Sequence, residues 1–196
     1  MIKGNHAEVS MKLYLVRHGE SEGNHKRIYC GHTNVELTQK GILQAQNMAM
    51  LFKDIHIEKI YSSPLIRAYN TAIEISKLKN IEIETSDLLK ERNFGDFEGL
   101  NWEEIESKYP EEAKKCIEQE IWYEYKNGEN FDNVIKRVSK FFENIIDNSV
   151  IVAHGVLIRS ILYYLNFIGY DNMYEYPIGN CHVLYIEDDK IHYLNR

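Results

Sequence analysis

A chain of 196 residues with 44% hydrophobic and 27% charged content is long enough to bury the core of one α/β domain plus, at most, a small cap. Its formal net charge of −7 argues against nucleic-acid or membrane-surface partners, which select clustered Lys and Arg, and no apolar run approaches the roughly 18 residues that span a bilayer. Three cysteines (Cys30, Cys116, Cys181), odd in number and without a CxxC, read as free thiols, so with no secretory h-region the expected location is cytoplasmic.

Residues 1–10 have no periodicity and read as a disordered leader, with Met11 as a candidate native start and a single domain expected over 11–196. Leu13-Tyr-Leu-Val16 is an apolar run of the length and make-up of a buried strand, followed at once by Arg17, His18 and Gly19. After a polar loop, Thr38 supplies an N-cap for a helix in which Ile42, Ala45, Ala49 and Phe52 recur, its methionines filling core. Ile57–Ser62 reads as the next strand, and Pro64 suits the first turn of a helix striped by Leu65, Ala68, Ala72 and Ile75. Ile81–Glu84 alternates like a short strand. Glu91–Gly99 has turn glycines and aromatics without a period, and is expected as a loop folded over something. Residues from Trp102 to Tyr125 are helical, acidic and aromatic, interrupted at Pro110; with no matching strand they read as a cap inserted over about 101–130. Asn130 caps a helix bearing Phe131, Val134 and Val138. Ser149–Ala153 is a second apolar strand ending in His154-Gly155, a helix follows to about Leu165, and the chain closes on a hairpin about Asp188-Asp189. The alternation predicts a three-layer α/β sandwich: a mostly parallel sheet with one antiparallel edge, helices on both faces and the small helical cap.

Strand ends therefore deliver His18, His154, Arg17 and, one turn into a helix, Arg67 to one sheet edge, where ligands of open α/β sheets bind. Metal chemistry fits poorly: there is no HxH or HExxH, and two guanidiniums repel a dication, so no metal or cofactor is expected. A GxSxG elbow, a GxGxxG turn and a GxxxxGK[ST] loop are all missing. Phosphoryl transfer fits best. Arg17 and Arg67 offer bidentate forks for a phosphomonoester, Asn24 a neutral donor, His18 a nucleophile toward phosphorus and a protonated His154 a partner for the equatorial oxygens. The departing alkoxide needs an acid; Glu91 is the candidate, with Glu20, Glu22, Asp96 and Glu98 as alternatives.

Leu-Val-Arg-His-Gly-Glu-Ser-Glu-Gly-Asn, Ser-Ser-Pro-Leu-Ile-Arg-Ala, Glu-Arg-Asn-Phe-Gly-Asp-Phe-Glu-Gly and Val-Ala-His-Gly occur in that order, and together they resemble the histidine phosphatase superfamily in its phosphoglycerate-mutase-like branch. The resemblance implies that His18 is the phosphorylated nucleophile, that Arg17, Arg67 and His154 complete the phosphate pocket, and that Glu91 is the proton donor. It also places Asn24, Ser21, Gly31 and Gly155 around the substrate. Gly128-Glu-Asn130 with Arg137 resembles the family's Gly-Glu-Ser segment, and Gly23 stands where many members have Trp. The short insertion, acidic and rich in Trp and Tyr, favours a phosphatase over a cofactor-dependent phosphoglycerate mutase, and suits an apolar or ring-bearing leaving group. Tyr29-Cys-Gly-His32 resembles a loop of α-ribazole phosphatases, making α-ribazole 5′-phosphate the leading substrate. A non-catalytic phosphate-binding module is the remaining alternative. The expected partner is a small-molecule phosphomonoester, with a homodimer left open as the assembly. His6, His25, His56, His182 and His192 read as surface or packing residues, and Cys30 as a small loop residue.

Overall fold

A computed structural model of the chain describes residues 12–195; the leader over 1–10 and the start at Met11 lie outside the described residues. Six strands form one sheet: β1 Leu13–Arg17, β2 Lys59–Ser62, β3 Ile83–Thr85, β4 Ser149–Ala153, β5 Val183–Glu187 and β6 Lys190–Tyr193, in the order β3-β2-β4-β1-β5-β6. The first four run parallel, β5 is antiparallel to β1, and β6 to β5. This is the mostly parallel sheet with an antiparallel edge that the alternation implies. Asp188 and Asp189 close the last hairpin with φ of 49° and 55°, the left-handed pair that a two-residue turn between twisted strands demands.

β1 and β4 are the central pair, and their apolar runs are buried on both faces. Alternation divides them between two cores. Tyr14, Val16, Val150 and Val152 pack against α2 (Gln39–Ala49) and α3 (Ile66–Lys79). Leu13, Leu15, Ile151 and Ala153 pack against α6 (Phe131–Phe142) and α7 (Gly155–Tyr164). Between β1 and α2 lies one short helix, α1 (Glu22–Lys26), and the insertion folds as α4 (Trp102–Lys108) and α5 (Pro110–Gln119). A third apolar cluster joins Ile105, Ala113, Cys116, Tyr123 and Tyr125 of the insertion to Phe97.

Three local expectations shift. Pro64 stands outside its helix: Leu65 is the extended N-cap, α3 starts at Ile66, and the Ile66 N–H is met by Asn34 Oδ1 at 3.0 Å, a tertiary partner that local sequence does not announce. β3 begins at Ile83 rather than Ile81, because Ile60 of β2 pairs with Ile83. Met48 fills the core as expected, but α2 tightens into a 3₁₀ turn at Met50, which leaves Met50 55% exposed.

Register fixes the functional edge. Arg17 pairs with Ala153 and Ser62 with Val152, so His18, Ser63 and His154 leave three neighbouring strands at one level.

Candidate active site

The turn after β1 is tight because two glycines face each other. A β-carbon on Gly19 would lie 2.5 Å from the Gly41 carbonyl oxygen, and one on Gly41 would lie 2.0 Å from that of Glu20. Without side chains there, the first turn of α2 presses against the backbone carrying His18, and the Gly19 N–H donates to Thr71 Oγ1 at 3.0 Å. His18 itself is buried, its amide donating to the Ala153 carbonyl at 3.0 Å. Its Nδ1 lies 2.7 Å from the Gly19 carbonyl oxygen. A carbonyl only accepts, so Nδ1 carries the hydrogen and Nε2 keeps a free lone pair. The His154 ring lies 5.2 Å away, centroid to centroid, with Nε2 at 2.8 Å from Ser63 Oγ.

A cavity of about 300 Å³ opens above this pair, lined among others by Arg17, His18, Ser21, Asn24, Gly31, Arg67, Glu91 and Gly155. Eight of the nine expected site residues therefore meet, and the ninth, His154, sits fully buried beside His18. Arg67 is aimed by the Gly31 and Thr33 carbonyls (2.7 and 2.9 Å), and Arg17 by that of Ile178 (2.7 Å). Ser21 and Asn24 form a capping box on α1. Asn24 Oδ1 accepts from Ser21 and from Asn180 Nδ2, so its amide group is what it can present to a ligand.

Glu91 is 8% exposed and caps α7, whose N-cap residue offers no side-chain bond of its own. Oε1 accepts from the Arg92 and Leu157 amides (2.9 and 3.0 Å), and Oε2 from the Val156 amide alone (3.1 Å). Its backbone carbonyl accepts from Arg137 Nη2 and faces His32 Nε2. Arg137 and Glu129 form a two-pronged pair, which absorbs the Gly128-Glu-Asn130 segment into the support of Glu91. The alternative acids lie elsewhere: Glu20 on Lys40, Glu22 near Lys26, Asp96 on Asn127, and Glu98 on the amides of His32, Thr33 and Phe94. None of the insertion lines the cavity. Its Tyr123 stacks on Phe97 and its Tyr125 meets the same ring edge-on in the third cluster, so both are hydrophobic packing, the reading the sequence favours over a ligand platform.

Among the described residues, Arg17 Nε, His154 Nδ1 and Arg159 Nε are buried nitrogens without a hydrogen-bond partner. Such orphans are rare, and all three belong to this site. Arg27, Arg159 and Asn180 are not among the residues expected from the sequence; Asn180 reaches the site through a contact distant along the chain, as does Ser63, which sits within the Ser-Ser-Pro motif.

Burial, followed by the Arg67 and Arg17 cations, holds His18 well below the usual histidine range against the Gly19 carbonyl. His154 is held down by burial, Arg67 and His18 in turn. In the unfolded chain both rings protonate as pH falls through about 6.5, so the unfolded state then binds more protons. The stability from two neutral rings is complete above that pH and declines below it, by up to about 1.4 kcal/mol per pH unit for each ring. Urea melts between pH 8 and 5 should show this decline, and His154→Gln should flatten it; an unchanged slope would place the acid loss elsewhere. With His154 held toward its neutral form, the positive charge of the cavity lies on the guanidiniums of Arg17, Arg27, Arg67 and Arg159.

The family model for the histidine phosphatase superfamily (branch 1) matches residues 13–193. Phosphoserine phosphatase 1 of Hydrogenobacter thermophilus is 36% identical over 166 residues, 82% of this chain and 78% of that protein. A 2,3-bisphosphoglycerate-dependent phosphoglycerate mutase of Cytophaga hutchinsonii is 31% identical over 80% of this chain and 78% of its own length. The crystal structure of the α-ribazole phosphatase from Shigella flexneri superposes with a TM-score of 0.84 at 25% identity, covering 93% of this chain and 94% of that one.

Proposed function

The chain belongs to branch 1 of the histidine phosphatase superfamily and is a phosphatase, and from that premise we propose that it hydrolyses phosphomonoesters without metal, through a phosphohistidine at His18. The carrying observation is the free Nε2 lone pair of a neutral, buried His18, ringed by guanidiniums and by buried nitrogens that lack partners.

In the proposed cycle, Nε2 attacks phosphorus and the ester P–O bond breaks. Arg17 and Arg67 hold the phosphoryl oxygens, Asn24 adds an amide donor, and Ser21 keeps Asn24 in place. Ser63 accepts from the Leu65 amide, which leaves its hydroxyl hydrogen for His154 Nε2. His154 Nδ1–H then points a neutral donor at the same oxygens. The departing alkoxide takes its proton from Glu91, whose Oε2, with one amide contact against two on Oε1, has room for a hydrogen. Water next attacks phosphorus, the P–N bond breaks, and Glu91 accepts the water's proton. The products are the alcohol and inorganic phosphate, with His18 restored.

Transfer to water is favoured over a mutase cycle because the insertion contributes no cavity residue, and Lys115 is paired with Glu112 at 2.9 Å. α-Ribazole 5′-phosphate is supported by the Tyr29–His32 loop and by the Shigella neighbour. A phosphorylated amino acid is supported by the Hydrogenobacter relative. The test is a rapid quench with phosphorus-labelled p-nitrophenyl phosphate in excess chelator. An acid-labile, base-stable phosphoprotein is expected; turnover lost to chelator and restored by zinc or magnesium would overturn the reading.

A further inference from the structure

Glu98 is absent from the cavity lining, yet its carboxylate accepts four hydrogen bonds. Oε1 takes the amides of His32 and Phe94 (2.9 and 3.1 Å), and Oε2 takes the amide of Thr33 at 2.9 Å together with its hydroxyl. Three of these donors belong to the turn over residues 31–33. That turn is shaped to receive the carboxylate: Gly31 has a φ of 43°, and a β-carbon there would lie 1.9 Å from Glu98 Oε1. The opposite side of the turn faces Arg67, whose Nη2 and Nη1 donate to the Gly31 and Thr33 carbonyls at 2.7 and 2.9 Å. One peptide group serves both partners. The Gly31 carbonyl oxygen meets Arg67 Nη2, while the His32 amide hydrogen, anti to it across the same peptide bond, meets Glu98 Oε1. A cation and an anion thus stand at the two ends of one aligned dipole, and each bond polarises the other. Two of the five N–H donors of Arg67 are spent on the turn, and the rest can serve phosphoryl oxygens.

We propose that Glu98 is a positioning residue for phosphoryl binding: it clamps the turn over residues 31–33 so that the carbonyls of that turn aim Arg67 into the cavity. The inference rests on the phosphatase reading and deepens it. Glu98 can act on a bound anion in two ways, and they have opposite signs. As a charge it offsets the Arg67 cation and weakens the hold on an anion. Burial lowers Arg67 below its usual value and the Glu91 and Glu98 carboxylates oppose that, so the charge of Glu98 does reach the guanidinium. As a clamp it fixes Arg67 before the ligand arrives, which strengthens the hold. The clamp should win, because the carboxylate is engaged by four donors and a peptide group lies between it and Arg67. Neutralising Glu98 should therefore weaken phosphate binding, against the direction that charge alone predicts.

The test is calorimetric titration with inorganic phosphate, with turnover of p-nitrophenyl phosphate followed in parallel. Binding is the deciding readout because His32, in the same turn, has its ring 2.9 Å from the Glu91 carbonyl, so kcat mixes the proton donor with the arginine. Glu98→Gln keeps the size of the side chain but removes its charge and one acceptor. It should bind phosphate about tenfold more weakly, with KM for p-nitrophenyl phosphate rising in step, the range of one misaligned charge-assisted bond. Glu98→Asp keeps the charge and withdraws the carboxylate by one methylene; it should weaken binding by about threefold or more, which an electrostatic role would not do. In an Arg67→Ala background Glu98→Gln should change phosphate affinity by less than about twofold, since nothing is left to aim, whereas a role in the fold alone would cost the same in both backgrounds. Phosphate bound as tightly as by the wild type, or more tightly, in folded Glu98→Gln overturns the inference alone, as does an equal loss in the Arg67→Ala background, provided the wild type turns over p-nitrophenyl phosphate. No turnover by the wild type overturns the phosphatase reading and this inference with it. Should Glu98→Gln fail to fold, Glu98→Asp decides by the same comparisons.

Discussion

Replacement of His18 by Ala is expected to eliminate phosphate release, by on the order of 10⁴-fold or more, and with it any phosphoprotein. The ring contributes the one atom that bonds to phosphorus in the proposed cycle, and no neighbour can take over. The His154 ring has Nε2 committed to Ser63 Oγ and its hydrogen on Nδ1, so it keeps no lone pair to offer phosphorus. The fold should survive, since the bond from the residue 18 amide to Ala153 belongs to the backbone and does not depend on the side chain. Circular dichroism and melting temperature check integrity, and steady-state and quench assays check chemistry. Residual turnover within 100-fold of wild type in a folded variant, or a surviving labelled protein, would move the nucleophile to another residue.

Glu91→Gln should produce a loss graded by leaving group. Esters of aliphatic alcohols need the proton most, so their kcat should fall by about 10²–10³-fold, while p-nitrophenyl phosphate, whose phenolate departs unaided, should lose less than about tenfold. Equal losses on both would remove Glu91 as the acid. A second consequence separates this residue from a mere proton source. Its two oxygens accept three backbone amides, those of Val156 and Leu157 at the start of α7 and that of Arg92. Glutamine brings one acceptor oxygen and an amide that faces N–H groups, so the variant should also be less stable by about 1–2 kcal/mol, readable in denaturant melts.

The core layout was legible because it is local. An apolar run such as Val150–Ala153 announces a strand buried on both faces, and residues placed where such a run stops, His18 and His154, arrive at the same edge by topology alone. Glu91 stands first among five acidic candidates by its place at the start of the glycine-bearing loop, the resemblance to a known family implies the same role, and the geometry places it in the cavity lining and the others outside it. What escaped is tertiary. Arg159 sits in an otherwise apolar helix, where a single cation reads as a solvated position; only folding shows that its face turns to Gly155 and Tyr174. Asn180, on the irregular segment before β5, bonds both the His18 carbonyl and Asn24 across more than 150 positions of chain, and no spacing rule reaches so far. In the aromatic insertion hydrophobic packing is the reading the sequence favours, and Tyr125 meets the rings of Phe94 and Tyr123.

Glu91 and Arg92 are adjacent in sequence, but they serve different masters. The fully buried guanidinium of Arg92 donates to the carbonyls of Ile121, Tyr123 and Glu129 and lies over the Tyr125 ring, 4.7 Å from its centroid. One peptide unit thus ties the insertion to the carboxylate in the cavity. The insertion is consequently no interchangeable module. A graft from another protein could vary its outer surface freely, yet would have to return three oxygen atoms to the same spots or lose its grip on a residue it never touches.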